Sequence, residues 1–209
     1  MKLVLASNNA KKLAELQQLF AGLPIDLIAQ DALGVSEADE PHVTFVENAL
    51  AKARHAARAT GLAAIADDSG LCVDALGGAP GVQSAVYAPM PAVNGDREAQ
   101  RRAQDAANNA LLLQRMAAQA DRRCRFVSTL VALRHAADPE PLIGFGRWEA
   151  SLLEAPRGTG GFGYDPLVWI DALGASVAEL AAEAKNRVSH RALAAAQMRA
   201  LMRDAWRLQ

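Results

Sequence analysis

The sequence has little cysteine and no long apolar run, and each lack excludes a class of protein. Its 209 residues include only two cysteines, Cys72 and Cys124, which are not spaced as a CxxC pair. Two reduced thiols are therefore favoured over a disulfide or a metal role. No apolar stretch approaches the ~20 residues that span a bilayer, and the apolar run after Lys2 is too short for a signal peptide. We therefore expect a cytoplasmic protein with no membrane partner.

An excess of either charge is also lacking. The 22 lysine and arginine residues nearly balance the 23 aspartate and glutamate residues, which leaves a formal net charge of −1. We therefore expect no broad electrostatic contact with nucleic acid. A local cluster can still bind a small anionic ligand without changing the global balance. The length suits one large domain or two closely packed lobes of a single chain.

Strand-like and helix-like segments alternate along the chain. Apolar runs predict strands at 2–6, 25–30, 63–66, 71–74, 125–134, 141–153 and 167–170. Helical periodicity predicts helices at 10–20, 44–60, 97–120, 177–184 and 188–208. The strands at 125–134 and 141–153 are expected to pair antiparallel. Alternation interrupted by such a pair is typical of an α/β fold with a mixed sheet.

Capping and turn residues mark the ends of some of these elements. Thr44 opens the alanine-rich helix with Glu47 three residues later, as in a capping box, and Gly61 closes it. Asn94-Gly95 marks a loop.

The first polar cluster, Ser7-Asn8-Asn9-Ala10-Lys11-Lys12, lies at a predicted strand-to-helix turn. Free N–H groups at the start of a helix bind phosphate, and a lysine one turn into the helix adds a compact positive charge. An ordinary helix cap with two solvated lysines is the alternative.

Carboxylates gather in two places. Asp67-Asp68-Ser69-Gly70 follows the predicted strand at 63–66, and adjacent carboxylates there repel each other unless a cation or a donor offsets them. Oxygen ligands suit Mg²⁺, and neighbouring strand residues face opposite sides, so one aspartate is expected to serve chemistry and the other structure. A turn with a capping aspartate is the alternative. The acidic loop Glu37-Ala38-Asp39-Glu40 is either a solvated charge run or the source of a second metal ligand.

A glycine-dense segment follows at 158–166, with four glycines in six residues around Phe162. Glycines let a backbone approach a ligand closely, at a cost in chain entropy. An aromatic ring among them offers a stacking face for a base, and Asp165 is a candidate acceptor for ring N–H groups. The alternative is a turn whose aromatic residues belong to the core. No strand–loop–helix unit frames these glycines as a dinucleotide-binding motif.

The last polar cluster comprises Lys185 and Ser189-His190-Arg191 at the start of the final predicted helix. A cation and a guanidinium in this place suit phosphate or purine oxygens, with a capping serine and solvated charges as the alternative. The histidines do not have the spacing of a zinc site, and no Walker A or GxSxG pattern occurs.

In this order, the clusters resemble the inosine triphosphate pyrophosphatase family, whose members clean the nucleotide pool. The matching stretches span almost the whole chain: Ser7-Asn8-Asn9-Ala10-Lys11-Lys12, Thr44-Phe45-Val46-Glu47-Asn48-Ala49, Ala66-Asp67-Asp68-Ser69-Gly70-Leu71, Gly77-Gly78-Ala79-Pro80-Gly81, Gly161-Phe162-Gly163-Tyr164-Asp165-Pro166 and Ser189-His190-Arg191. Each stretch alone is weak or moderate, but all of them in register make a chance match very improbable.

The resemblance implies an α/β fold with a mixed, elongated and twisted sheet flanked by helices. It implies one domain, residues 1–209, made of two lobes with an active-site cleft between them. It further implies a homodimer, Mg²⁺ as cofactor, and hydrolysis of ITP, dITP and XTP to the monophosphate and pyrophosphate.

The family's site residues carry over by position. Asp68 would be the metal ligand and the proton acceptor for the attacking water, with Glu40 as the second acidic group. The triphosphate would be held by Ser7, Asn8, Asn9, Ala10, Lys11 and Lys12, of which Lys12 would be the principal cation. Other substrate contacts would come from Ser69, Phe162, Gly163, Tyr164, Asp165, Lys185, His190 and Arg191, with Phe162 stacked on the purine.

Two positions depart from the family pattern, and two other functions stay open. Val86 stands where arginine is frequent and Ala150 where glycine is frequent, although neither belongs to the expected metal or phosphate groups. The alternative functions are a pyrophosphatase for modified pyrimidine nucleotides and a nucleotide-binding sensor that does not hydrolyse. The carboxylates of Asp68 and Glu40 argue against the sensor, since a binder has less use for them beside a phosphate site.

Overall fold

The computed structural model describes residues 1–92 and 96–208, so the loop predicted at Asn94-Gly95 lies outside the described residues. Residue contacts divide the chain into two compact units. The first unit comprises Met1–Ser69, Ser128–Arg147 and Val188–Gln209, and the second comprises Gly70–Val127 and Trp148–Arg187.

Seven strands form a sheet in the order β2-β1-β3-β4-β5-β6-β7. The strands are β1 (Lys2–Leu5), β2 (Asp26–Ala29), β3 (Ala63–Val73), β4 (Arg123–Leu133), β5 (Leu142–Leu152), β6 (Val168–Ile170) and β7 (Ala175–Ser176). The α-helices are α1 (Ala10–Leu19), α2 (Phe45–Thr60), α3 (Arg97–Met116), α4 (Ala182–Val188) and α5 (His190–Ala205).

The sheet contains both parallel and antiparallel pairs, which confirms the predicted mixed sheet. β1 lies parallel to β2 and to β3, with Leu3 opposite both Leu27 and Ala63. β6 runs antiparallel to β5 and to β7. The N–H of Leu152 at the end of β5 donates to the carbonyl of Arg122, just before β4, at 2.8 Å. The neighbouring strands β4 and β5 therefore have the predicted antiparallel arrangement.

β3 is longer than the sequence predicts. It is a single strand of 11 residues, which joins the two extended segments predicted at 63–66 and 71–74 and leaves no place for the alternative of a capping turn at the aspartates. The strand can bury both aspartates because Lys12, Lys52 and Arg191 pair with them.

The helix predicted at 177–184 is also divided. A 3₁₀ turn, Val177–Glu179, comes first, and α4 begins only at Ala182. The carboxylate of Glu179 accepts the N–H of Ser176 at 2.8 Å, which closes a capping box over the short turn. The segment therefore satisfies its own backbone groups before the longer helix starts.

α2 of the first unit begins and ends as its sequence predicts. Thr44 caps it: its hydroxyl accepts the N–H of Glu47 at 3.4 Å and donates to the carboxylate of Glu47 at 2.5 Å. Gly61 ends the helix with a left-handed φ of 69°. The buried face of α2 consists mainly of alanines, Ala49, Ala53, Ala56 and Ala57, but it also carries Asn48 and Lys52. A lysine on an apolar helix face requires a buried partner.

α5 packs closely on β5 in the first unit. A Cβ atom added to Gly146 would lie 1.8 Å from the carbonyl oxygen of His190, and one added to Gly144 would lie 2.5 Å from that of Ala194. Only glycine permits this approach of strand and helix backbones. The contact sets the position of the first turn of α5, which carries His190 and Arg191.

The second unit has its own apolar core beneath α3. Leu112 and Met116 of α3 pack with residues of β3 to β6, including Leu71, Phe126 and Trp148. The buried cysteines, Cys72 and Cys124, belong to this unit and form no disulfide, as predicted.

The two departures from the family pattern have different surroundings in the second unit. Ala150 is buried on β5, whereas Val86 is 60% exposed at the end of a 3₁₀ segment. Within residues 1–92 and 96–208, no helix is long and apolar enough to cross a membrane.

Candidate active site

Two adjacent carboxylates of β3 form the centre of the polar cluster in the first unit. Asp67 and Asp68 are 1% and 5% exposed. Because successive strand residues point to opposite faces, their side chains contact different partners. The two aspartates thus occupy different environments, and the expectation that one serves chemistry and the other structure stays a prediction.

The carboxylate of Asp67 is surrounded by donors and cations. Its Oδ2 lies 2.9 Å from Nη2 of Arg191 and 3.1 Å from Nζ of Lys12. The hydroxyl of Ser128 donates to its Oδ1 at 2.8 Å. Burial alone would raise the pKa of Asp67, but the charges of Arg191 and Lys12 outweigh it and hold the pKa well below its usual range.

Arg191 is buried and connects Asp67 to two other side chains. It lies in the first turn of α5, just after the capping residue Ser189. Its guanidinium also pairs with Glu15 of α1 and donates to the hydroxyl of Ser69 at 3.0 Å. Desolvation would lower the pKa of Arg191, but the charges of Asp67 and Glu15 outweigh it, so the pKa is raised.

Asp68 faces one lysine and a second carboxylate. Nζ of Lys52 lies 2.7 Å from Oδ1 of Asp68 and 2.8 Å from Oε2 of Glu40. Burial and the negative charge of Glu40 raise the pKa of Asp68 to about 6, although Lys52 opposes the shift. Burial would also raise the pKa of Glu40, but Lys52 outweighs it and lowers that pKa. The single lysine is thus shared between two carboxylates.

The arrangement around Asp68 fits a hard divalent cation. Its Oδ2 atom is buried and receives no hydrogen bond from any described residue. In the ranges 1–92 and 96–208, no three His, Cys, Asp or Glu side chains gather as a ligand group. The protein therefore offers two carboxylates, and a cation here would take its other ligands from water and substrate, as Mg²⁺ usually does.

The predicted phosphate turn at 7–12 is a helix start capped by its own side chain. Oδ1 of Asn9 accepts the N–H groups of Lys11 and Lys12 at 3.0 and 3.2 Å, and Ser7 Oγ accepts the N–H of Asn9 at 3.2 Å. Lys11 is exposed, whereas Lys12 reaches Asp67. Of this turn, the structure thus brings Lys12 into the aspartate cluster.

The glycine-dense segment of the second unit holds Phe162 above a buried ion pair. Oδ2 of Asp165 accepts the N–H of Phe162 at 3.0 Å and the ammonium of Lys185 at 2.8 Å. The same ammonium lies 4.7 Å from the centroid of the Phe162 ring. Gly161, with a φ of 73°, is required here because a Cβ atom would lie 2.0 Å from Oδ2 of Asp165.

The remaining predicted contacts, Tyr164, Asp165 and His190, are all buried. Tyr164 is buried and its hydroxyl donates to the carbonyl of Ser84 at 2.9 Å, so it contributes to the core of the second unit. His190 is 5% exposed at the start of α5. Asp165, the candidate acceptor for a base, is buried, and its Oδ2 accepts from the N–H of Phe162 and the ammonium of Lys185.

Three residues that contact Asp67, Asp68 or Arg191 were not predicted from the sequence: Lys52, Glu15 and Ser128. Lys52 had a detectable signal, because it is a single lysine on the alanine face of a long helix. Nothing in the sequence marks Glu15 or Ser128, because only the folded chain brings Glu15 of α1 to Arg191 and Ser128 of β4 to Asp67.

Comparisons with known proteins agree with the motif resemblance. Residues 3–201 match the model of the Ham1 family. The chain is 71% identical over 206 residues to the dITP/XTP pyrophosphatase of Methylibium petroleiphilum, covering 99% of both chains. It is 66% identical over 211 residues to the dITP/XTP pyrophosphatase of Leptothrix cholodnii, covering all of both.

Solved structures show the same relationship. A HAM1 protein from Coxiella burnetii superposes with a TM-score of 0.86 at 41% identity, covering 97% of this chain and 98% of the other. The Staphylococcus aureus Ham1 protein gives a TM-score of 0.80 at 32% identity, with the same coverage.

Proposed function

The chain belongs to the Ham1 family, and we propose that it hydrolyses dITP, XTP and ITP to the nucleoside monophosphate and pyrophosphate. Full-length identities of 66% and 71% to relatives named dITP/XTP pyrophosphatase support this substrate class. The observation that carries the proposal is Asp68, a buried carboxylate with a raised pKa beside Lys52 and Glu40. Such removal of non-standard purine nucleotides would keep the nucleotide pool clean.

Asp68 is the proposed proton acceptor for the attacking water. A pKa near 6 leaves the carboxylate mostly ionised at neutral pH yet basic enough to take a proton, which is the range that favours a general base. Lys52, which donates to Oδ1, would hold the carboxylate in place so that Oδ2 faces the reaction.

Glu40 and Asp68 are the residues that would hold Mg²⁺. The buried, unsatisfied Oδ2 atom and the excess of carboxylates over cations on this face support the assignment. A bound Mg²⁺ would supply positive charge against the phosphate oxygens.

The triphosphate would be bound by the turn Ser7-Asn8-Asn9-Ala10-Lys11-Lys12, with Lys12 as the principal cation and Arg191 as a further contact. Departing pyrophosphate accumulates negative charge, and pre-placed cations stabilise that charge without reorganisation. Ser69 already accepts from Arg191 and would contact the same end of the substrate.

Purine recognition is assigned to the glycine-dense segment, residues 158–166. Phe162 would stack on the base, with Gly163, Tyr164 and Asp165 shaping the segment. Lys185 and His190 would be further substrate contacts. Donors aimed at a 6-oxo oxygen would be left unpaired by adenine, at about 1–3 kcal/mol each.

Pyrophosphate release from a nucleotide panel, with Mg²⁺ and with a chelator, tests the function. The panel contains dITP, XTP, ITP, dGTP, dATP, dUTP and a methylated pyrimidine triphosphate. We expect release to be fastest with the first three and to stop in chelator. Faster turnover of a pyrimidine would contradict the substrate class, and binding of dITP without release would identify a sensor instead.

Three further properties implied at the sequence level are part of the proposal. They are a homodimer, a cytoplasmic location and a single domain made of two lobes. Light scattering after gel filtration tests the dimer, cell fractionation tests the location, and a single calorimetric unfolding transition would support one cooperative domain.

A further inference from the structure

Two side chains of helix α3 bind the same glycine of the glycine-dense segment, residues 158–166. Oδ2 of Asp105 accepts the N–H of Gly163 at 2.9 Å, and Nδ2 of Asn109 donates to the carbonyl of the same glycine at 2.9 Å. Residues four apart lie one above the other on a helix face, so the two side chains meet both polar groups of one peptide residue. No residue of α3 belongs to the motifs that carry the family resemblance.

Gly163 is the residue where this restraint has the greatest effect. It lies between Phe162 and Tyr164 and has a φ of +61°. A Cβ atom there would meet nothing within 4 Å, so the backbone angle, and not lack of space, requires glycine. The four glycines of the segment, Gly163 included, give it many alternative conformations, and side-chain hydrogen bonds must therefore select one.

Phe162 is restrained from its other side by different residues. Its N–H donates to Asp165, and its ring lies beside the ammonium of Lys185. With the bonds to Gly163, helix α3 and the Asp165–Lys185 pair hold two successive peptide units of the segment. The direction of the Phe162 ring thus depends on both sets of contacts.

We propose that Asp105 and Asn109 are positioning residues for purine recognition, acting through Gly163 on the ring of Phe162. This inference rests on the proposed function, since it assigns the base to Phe162. Neither residue touches the substrate. Their effect is confined to the base end, because the phosphates are assigned to Lys12 and Arg191.

The neighbouring side chains of α3, Gln104 and Asn108, bind a different segment of the second unit. Asn108 donates to the carbonyls of Ser84 and Ala85 and accepts the N–H of Ala88, and Gln104 donates to the carbonyl of Ala88. These two buried side chains hold the segment 84–88. Asp105 and Asn109, one position further along, are only half-buried.

Steady-state kinetics with dITP and inhibition by inorganic tripolyphosphate, which lacks a base, test the proposal. For Asp105→Ala and Asn109→Ala we expect KM for dITP to rise about tenfold, equivalent to about 1.4 kcal/mol, with kcat within about threefold. The inhibition constant of tripolyphosphate should stay unchanged. Asp105→Asn keeps an oxygen acceptor and should restore most of the KM.

Glu98→Gln is the matched control, because it also changes a carboxylate of α3 but one whose side chain is 44% exposed. Its KM should equal that of the wild type. If Asp105→Ala does not fold, Asn109→Ala and Asn109→Asp carry the same comparison, since a carboxylate at 109 cannot donate to Gly163.

Three results would overturn the inference: an unchanged KM in both alanine variants, a fall in kcat alone, or an equal loss of tripolyphosphate binding. A wild-type protein that releases no pyrophosphate from dITP would contradict the proposed function itself. An active wild type with an unchanged Asp105→Ala variant would contradict only the positioning role.

Discussion

The two faces of β3 each bury an aspartate, but they shift its pKa in opposite directions. Around Asp67, two cations, Lys12 and Arg191, balance two carboxylates, and the pKa of Asp67 is depressed. Around Asp68, Lys52 pairs with two carboxylates, and the pKa of Asp68 rises to about 6. Both aspartates are buried, so burial does not distinguish them. The local balance of charge distinguishes them. The charges around Asp67 are balanced, whereas the carboxylates around Asp68 outnumber the paired lysine and can accept a cation or a proton.

Asp68→Asn should have the largest effect on activity, because it removes the proposed catalytic carboxylate. We expect kcat with dITP to fall about 10³-fold, since a general base contributes about 10²–10⁴-fold, while dITP still binds. The amide has nearly the same shape, and Lys52 keeps Glu40 as a partner. Pyrophosphate release and calorimetric titration measure the two quantities. A near-normal kcat would show that Asp68 is not the catalytic carboxylate.

Asp67→Asn should disturb the balanced charges around Asp67 and mainly lower the stability of the protein. It leaves the buried guanidinium of Arg191 without its main counterion, which costs about 3 kcal/mol of unfolding free energy. Urea denaturation measures this loss. Asp39→Asn, at an exposed position of the acidic loop, is the control and should change stability by less than about 0.5 kcal/mol. Equal stability of the two variants would contradict the comparison.

The pH dependence of stability in a chelator should show the smallest but most direct contrast. The folded pKa of Asp68 is raised from 3.8 to about 6, so its contribution is fully present below pH 3.8 and is lost as pH rises to about 6. The change is at most about 1.4 kcal/mol for each pH unit. Asp67 has a depressed pKa, so its contribution is present above 3.8 and is lost as pH falls through the folded value.

Subtracting the Asp68→Asn profile from the wild-type profile isolates the contribution of Asp68. The wild type should lose stability relative to the variant between pH 4 and pH 6, and the difference should be constant above that range. Parallel profiles between pH 4 and pH 6 would contradict the raised pKa.

The sequence predicted much of this site because its signals are local. The capping pair Thr44 and Glu47 and the left-handed Gly61 follow from short-range backbone chemistry, and the structure has all three. Alternation along a strand likewise predicted that Asp67 and Asp68 would differ. Which of the two was reactive came from the family resemblance, because composition and spacing are the same for both.

What the sequence did not predict depends on distant partners. Two short extended segments, 63–66 and 71–74, were expected where the structure has one strand of 11 residues, with a capping turn at the aspartates as the alternative. Arg191, 124 positions away from Asp67 in the sequence, makes that strand possible. Lys52 was overlooked because a lysine in an alanine-rich helix normally reaches solvent, and only the fold brings Glu40 and Asp68 to it.

Because β3 is one continuous strand, whether a position is odd or even along it decides which face of the sheet its side chain points to. Pairing with β1, in which Leu5 lies opposite Ile65, fixes which side chain points to which face. Deleting Ala66 would place Asp68 in the compensated position and Ser69 in the reactive one. Both aspartates would remain in the chain, yet the reactive carboxylate would be lost, so the activity depends on the length of this segment as well as on its side chains.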